Sequence, residues 1–343
     1  MSRVLMIGGP GNISGGCAEE LIAGRHPLAI LKRSDPADDN ADPKFAEAVR
    51  FYRGDRGRPS DLKAAIDDFR PDAVVDFVCF EPERVEELVP LLPEGVHYVL
   101  VSTVDTYGYP LARIPMREED PLAPTRNPYG AAKRACEERV ARLLTGAGRP
   151  ATVVRPTYSF GVKSGMLSLF AWAGMKEQVP RMRAGMPVLV PGDGNTILHA
   201  SCAHDVGRMI ARVVQERDTA AGRSYTCGHD GALTFDGYMQ LVGGVLGVDP
   251  EIVHVPVEVL LAIDSEEVRG SFVPSLTRYN MCFSVEAFKR DFPDFAWRIS
   301  LEEGVRQYVE WYDRHGLFAD PGEEIYEDRV IRAWRQCLTH FRL

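Results

Sequence analysis

The 343-residue sequence predicts an α/β protein: a doubly wound parallel sheet with a smaller, mixed α/β lobe toward the carboxyl terminus. Three observations carry that expectation. Apolar runs of strand length recur through the first 160 residues, a glycine-rich turn follows the first of them, and helical periodicity fills the intervals.

The first run, Arg3-Val4-Leu5-Met6-Ile7, leads into Gly8-Gly9-Pro10-Gly11-Asn12-Ile13-Ser14 and then a helical pattern through Ala18, Leu21 and Ile22. Strand, glycine turn and helix in that order open a Rossmann-type unit, in which glycines allow the backbone close to a pyrophosphate held at the helix N-terminus. Gly8, Gly11, Asn12 and Ile13 are the expected NAD(P) contacts, and Ser14 stands where a third glycine often falls. The second strand, Leu28-Ala29-Ile30-Leu31, ends in Lys32-Arg33 in place of the acidic residue that would bind the ribose hydroxyls of NAD. The two cations read either as a site for the 2′-phosphate of NADP, the direction in which they lean, or as a solvated charge pair. Gly54-Asp55 precedes a helix expected over 59–69; Asp55 reads as an acceptor for the adenine amino group or as a local cap.

Next come two nearly continuous apolar runs, 73–80 and 96–103, the pattern of buried parallel strands. The second ends on Ser102-Thr103-Val104-Asp105, which puts hydroxyls and a carboxylate at a strand's carboxyl end, where open α/β sheets bind ligands. Then follows Asn127-Pro128-Tyr129-Gly130-Ala131-Ala132-Lys133. On a helix, residues four apart share a face, so the Lys133 ammonium favours the Tyr129 phenolate and makes a poor base usable. That pair points to proton transfer coupled to redox chemistry on an alcohol.

These segments, together with 153–161, 191–194, 204–206 and the tail over 279–312, resemble the extended short-chain dehydrogenase/reductases of the NAD-dependent epimerase/dehydratase family over nearly the whole chain. The resemblance implies Thr103 as the hydroxyl on the reacting oxygen, Tyr129 as acid/base, and Lys133 as the group that lowers its pKa and contacts the cofactor ribose. It places Tyr158 and His199 in segments that face substrate, and implies a homodimer through helices near 82–92 and 128–144. Two departures matter. Val104 and Asp105 stand where sugar 4,6-dehydratases carry an Asp-Glu pair, which counts against that elimination; Asp105 reads as assisting at a neighbouring carbon or as a turn residue. Leu198 stands where many relatives carry an arginine for the diphosphate. Either Lys163, Arg181, Arg183, Arg269 or Arg278 replaces it, or the substrate is not a standard nucleotide diphosphate sugar.

Composition sets the remaining bounds. A net charge of −9 argues against a general nucleic-acid binder. Seven cysteines without a Cys-x-x-Cys pair read as reduced, buried thiols; no histidine spacing suggests a metal, and no run approaches membrane-spanning length. A cytoplasmic chain is expected. Residues 1–160, with about 200–228, are expected to form the dinucleotide-binding domain, and 161–199 with 229–343 the substrate lobe. The preferred reading is an NAD(P)-dependent epimerase of a sugar or sugar nucleotide acting by transient oxidation. The alternatives are an NADPH-dependent reductase/dehydrogenase, a dehydratase or decarboxylase, and a non-catalytic dinucleotide-sensing or RNA-associated protein.

Overall fold

The computed structural model describes residues 1–34, 43–162, 165–170 and 174–340. Its centre is a seven-stranded parallel sheet. Strands β1 (Val4–Ile7), β2 (Leu28–Lys32), β3 (Val49–Arg53), β4 (Ala73–Asp76), β5 (His97–Val101) and β6 (Ala151–Pro156) are joined by a last strand, Ser224–Cys227. The order across the sheet is Ser224–Cys227, β6, β5, β4, β1, β2, β3. Chain direction across the sheet reverses between β1 and β4, whose register puts Ile7 beside Asp76. That reversal opens a crevice at the carboxyl ends of the two strands.

Burial on both faces explains the apolar runs. On one face, Cys17, Ala18 and Leu21 of α1 (Asn12–Ala23) pack with Val206, Met209, Ile210 and Val213 of the Ala203–Gln215 helix. Between β2 and β3 lies the short α2 (Pro43–Ala48). The opposite face is covered by α3 (Pro59–Phe69), α4 (Pro82–Leu88) and α5 (Pro128–Leu143), through Leu62, Ile66, Phe69, Val85, Leu88, Cys136 and Val140. The covering helices on one face approach to backbone contact. A Cβ on Gly207 would lie 2.1 Å from the Ile13 carbonyl oxygen, and one on Gly16 2.3 Å from that of His204. Gly207→Ala should therefore force the helices apart and lower unfolding free energy by about 2 kcal/mol, measured by denaturant titration.

Beyond the sheet, short strand pairs join Tyr158–Phe160 to Ala200–Cys202, Val188–Pro191 to Ile252–Val255, and Ile197–Leu198 to Leu233–Thr234. They share a second core with the Phe235–Leu246 and Leu301–His315 helices, centred on Phe160, Leu198, Phe235, Phe283 and Tyr308. The Tyr326–His340 helix adds Val330 and Ile331 to a smaller cluster with Phe170, Val255 and Leu260.

Several boundaries differ from the sequence expectation. The run over 73–80 leaves the sheet at Asp76, a fully buried carboxylate that takes the Arg56 guanidinium at 2.8 Å. The run over 96–103 ends at Val101, because Thr103 starts a 3₁₀ turn, Val104–Tyr107, by accepting the Asp105 amide. The helix expected over 82–92 is helical to Leu88 and then tightens into the 3₁₀ turn Val89–Leu91, which contains Pro90. The edge strand β3 was not anticipated. All seven cysteines are free; five are buried, Cys282 is partly so and Cys337 is exposed, which corrects the expectation of burial there. Among the described residues, no helix is long and apolar enough to cross a membrane.

Candidate active site

The crevice at the sheet reversal forms a cavity of about 720 Å³ lined by Gly8, Gly11, Ser14, Lys32, Arg33, Asp55 and Phe80, among others. Its floor is the glycine loop. Gly8 and Gly9 have φ of +88° and +108°, and a Cβ on Gly8 would lie 2.7 Å from Val78 Cγ1. Ser14 earns its place as a loop staple, since its Oγ accepts the Gly11 amide at 2.7 Å. The first turn of α1 carries no acidic side chain, so its N-terminus suits an anion. These features fit a dinucleotide.

The expected cofactor contacts divide. Gly8, Gly11, Lys32, Arg33 and Asp55 line the cavity. Asn12 lines a smaller cavity of about 180 Å³ beside Gly161 and His204, and Ile13 packs on the sheet core. Lys32 is buried with Nζ 5.2 Å from the Phe51 ring, whereas Arg33 is exposed at the mouth. Asp55 caps locally, accepting the Gly57 amide at 2.8 Å. Arg56, which the sequence reading passed over, lies in the same wall; it bonds the Arg84 carbonyl as well as Asp76, and the Tyr98 hydroxyl also donates to Asp76.

At its other end the cavity reaches Phe80, whose ring centroid is 6.3 Å from that of Tyr129 and 4.6 Å from Lys133 Nζ. Tyr129 and Lys133 sit on the first two turns of α5, which Asn127 caps and Pro128 opens. Lys133 is buried, donates to the Val101 carbonyl at 2.8 Å, and lies 6.0 Å from the Tyr129 ring centroid. Burial pulls the ammonium below its ordinary pKa. Tyr129 is 43% exposed, yet partial burial and then the Asp105 charge push its phenol up to about 12. Burial and the Asp105 charge thus move Tyr129 in the direction opposite to the expected one.

Thr103 is half-buried at the end of β5, and its Oγ1 accepts the Asp105 amide at 3.2 Å, a bond that leaves the hydroxyl proton uncommitted. The Asp105 carboxylate is occupied: Oδ1 accepts from the Tyr158 hydroxyl at 2.7 Å and Oδ2 from Asn127 Nδ2 at 3.0 Å. Tyr158 spends its hydroxyl on Asp105 and on Tyr109 Oη at 2.7 Å. Tyr109 and Asn127 were not singled out from sequence, although an asparagine before Pro-Tyr is a visible helix cap.

The other expected substrate contacts lie elsewhere. Arg181, 1% exposed, is held by Asp328 and the Glu323 carbonyl, and Arg183 forks onto Asp313 at 2.7 Å through both terminal nitrogens. His199 is buried, with Nε2 2.7 Å from the His229 carbonyl and Nδ1 accepting the Phe283 amide at 3.3 Å, and burial lowers its pKa. Arg269 pairs with Asp264, Arg278 covers the Tyr279 ring, and Lys163 lies outside the described residues. Leu198 is fully buried. Arg181→Met should cost about 3 kcal/mol of stability by stranding Asp328, while the cofactor KM stays at the wild-type value; thermal unfolding and steady-state kinetics check the two halves. Among the described residues, no group of three or more His, Cys, Asp or Glu is placed to hold a metal ion.

The chain is 26% identical over 328 residues to the 2′-dehydrokanamycin reductase of Streptomyces kanamyceticus, covering 95% of this chain and 89% of that one. Its fold matches that of a dTDP-glucose 4,6-dehydratase from Bacillus anthracis in complex with NAD, with a TM-score of 0.69, 18% identity, and 92% and 97% of the two chains covered. It also matches a UDP-glucose 4-epimerase from Thermotoga maritima with UDP-glucose, at TM-score 0.67, 20% identity, and 91% and 99% coverage. The family model described as NAD dependent epimerase/dehydratase matches residues 83–228, the segment that carries Thr103, Tyr129 and Lys133.

Proposed function

We propose that the chain is an NADPH-dependent reductase of a carbohydrate ketone, with Tyr129 as proton donor. The observation that carries the reading is the continuity of the glycine-loop cleft with Phe80, against which both Tyr129 and Lys133 lie. In this reading, residues 1–160 with about 200–228 hold the dinucleotide, and 161–199 with 229–343 hold the sugar.

When bound, the nicotinamide supplies the hydride that reduces the carbonyl carbon. Tyr129 Oη gives its proton to the carbonyl oxygen as negative charge develops there, and Thr103 Oγ1 donates a hydrogen bond to the same atom. Lys133, anchored on Val101, fixes the face that Tyr129 shares with the cleft. Tyr129 recovers its proton from solvent, to which it is partly open.

Three features favour reduction over the transient-oxidation epimerase preferred from sequence. Lys32 and Arg33 line the cleft with no carboxylate at the end of β2, which suits a 2′-phosphate. Burial and then the Asp105 charge keep Tyr129 protonated, as a proton donor requires. The relative matched over most of both chains is named a reductase. Buried Leu198 and the committed Arg181 and Arg183 favour a substrate without a diphosphate. Stoichiometric NADPH consumption with a keto-sugar supports this reading. Turnover on tightly bound cofactor, with no net consumption, would restore the epimerase. Activity should hold through neutrality and fall on the alkaline side, where Tyr129 loses the proton it must give.

A further inference from the structure

Tyr129 stands on the first turn of α5, and one side chain fastens that turn to the 3₁₀ turn that follows β5. Asn127 Oδ1 accepts the Tyr129 amide at 3.0 Å, while its Nδ2 donates to Asp105 Oδ2 at 3.0 Å. The other Asp105 oxygen takes the Tyr158 proton, so the Tyr109 hydroxyl, 2.7 Å away, is the donor toward Tyr158. Gly130 closes the contact: a Cβ there would sit 2.7 Å from the Asp105 carbonyl oxygen. Only 6% of Asp105 is exposed, and both its oxygens are in use.

We propose that Asp105 and Asn127 form a positioning unit for Tyr129, in which the carboxylate clamped by Tyr158 holds the asparagine, and the asparagine fixes the turn that presents the phenol to substrate. The inference rests on Tyr129 as the proton donor. It gives Asp105 a role through protein groups in place of contact with substrate.

The residue types fit this role and few others. Serine, threonine, aspartate and asparagine all cap helices, but among them asparagine alone carries its acceptor and its donor on separate atoms, so that one can take the Tyr129 amide while the other reaches the carboxylate. Aspartate there would set two carboxylates together, and serine is too short to span both bonds. The same carboxylate acts on the phenol by its charge. Facing Tyr129 are Asp105 from the 3₁₀ turn and Lys133 from its own helix; behind Lys133 lie Asp76 and Cys79 from the end of β4, and Cys136 and Glu137 from α5. Burial pushes Asp105 up, while its bonds from Tyr158 and Asn127 pull it back toward the charged form.

Two variants separate this unit from simple helix capping, with Tyr129→Phe as reference. Alkaline titration of tyrosinate absorbance, read as wild type minus Tyr129→Phe, isolates the Tyr129 ionisation without any substrate. Asp105→Asn should raise the acidity of that phenol about tenfold. Asn127→Ser keeps the cap but loses the link to Asp105, and should lower kcat about tenfold with the NADPH KM unchanged and thermal unfolding close to wild type. If Asp105→Asn leaves the phenol where wild type has it, or Asn127→Ser retains kcat, the positioning unit is wrong even with Tyr129→Phe inactive. Full activity in Tyr129→Phe would instead end the acid/base reading itself.

Discussion

Tyr129→Phe should reduce turnover by about a thousandfold while leaving NADPH affinity within a factor of two. The substitution removes one hydroxyl and keeps the ring that packs 6.3 Å from Phe80. Because Tyr129 is 43% exposed, no cavity opens, and stability should hold to within about 0.5 kcal/mol. What is lost is a positioned proton, an effect of about 10²–10⁴ in rate. The residues proposed to hold the cofactor lie in the Gly8 loop and at the end of β2, remote in sequence from α5. A kcat loss with an unchanged dissociation constant, measured by quenching of protein fluorescence, is therefore the expected signature. Loss of cofactor binding in parallel would show that the phenol supports the cleft and not the chemistry.

The second large effect concerns cofactor choice. Replacing Lys32 and Arg33 together with aspartate should weaken NADPH about a hundredfold and leave NADH within severalfold. Two charge-assisted bonds to a phosphate, at about 1.5 kcal/mol each, account for that factor. Arg33 is exposed, so its replacement acts on the ligand alone. Lys32 is buried against Phe51, so the single Arg33→Asp variant shows how much of the shift survives when that packing is untouched. An unchanged preference in both variants would remove the ground for assigning the phosphorylated cofactor.

The parts of this architecture that could be read in the sequence are those governed by near neighbours. Strand, glycine turn and helix follow from local pattern, and the four-residue step from Tyr129 to Lys133 needs only that α5 be helical. What each side chain is already bonded to depends on distant segments. Arg181 has the chemistry of a phosphate ligand, but its partner Asp328 comes 147 residues later. His199 is engaged by His229 and Phe283, and Asp105 by Tyr158, 53 residues on. Apolar runs also overstate strand length, because Phe77, Val78 and Phe80 follow the end of β4 and line the cleft. Strand β3 escaped for the converse reason: as an edge strand it is half solvated, and Arg50 and Arg53 interrupt its pattern.

The way the Tyr326–His340 helix is fastened has a practical side. Val330 and Ile331 cover Phe170, Val255 and Leu260, and Asp328 neutralises the buried Arg181. Trimming the chain before Tyr326 would strip that cover and leave a guanidinium stranded beside bare aliphatic surface. Such shortened forms should come out of cells as aggregates, even though every residue of the proposed reaction chemistry is still in place.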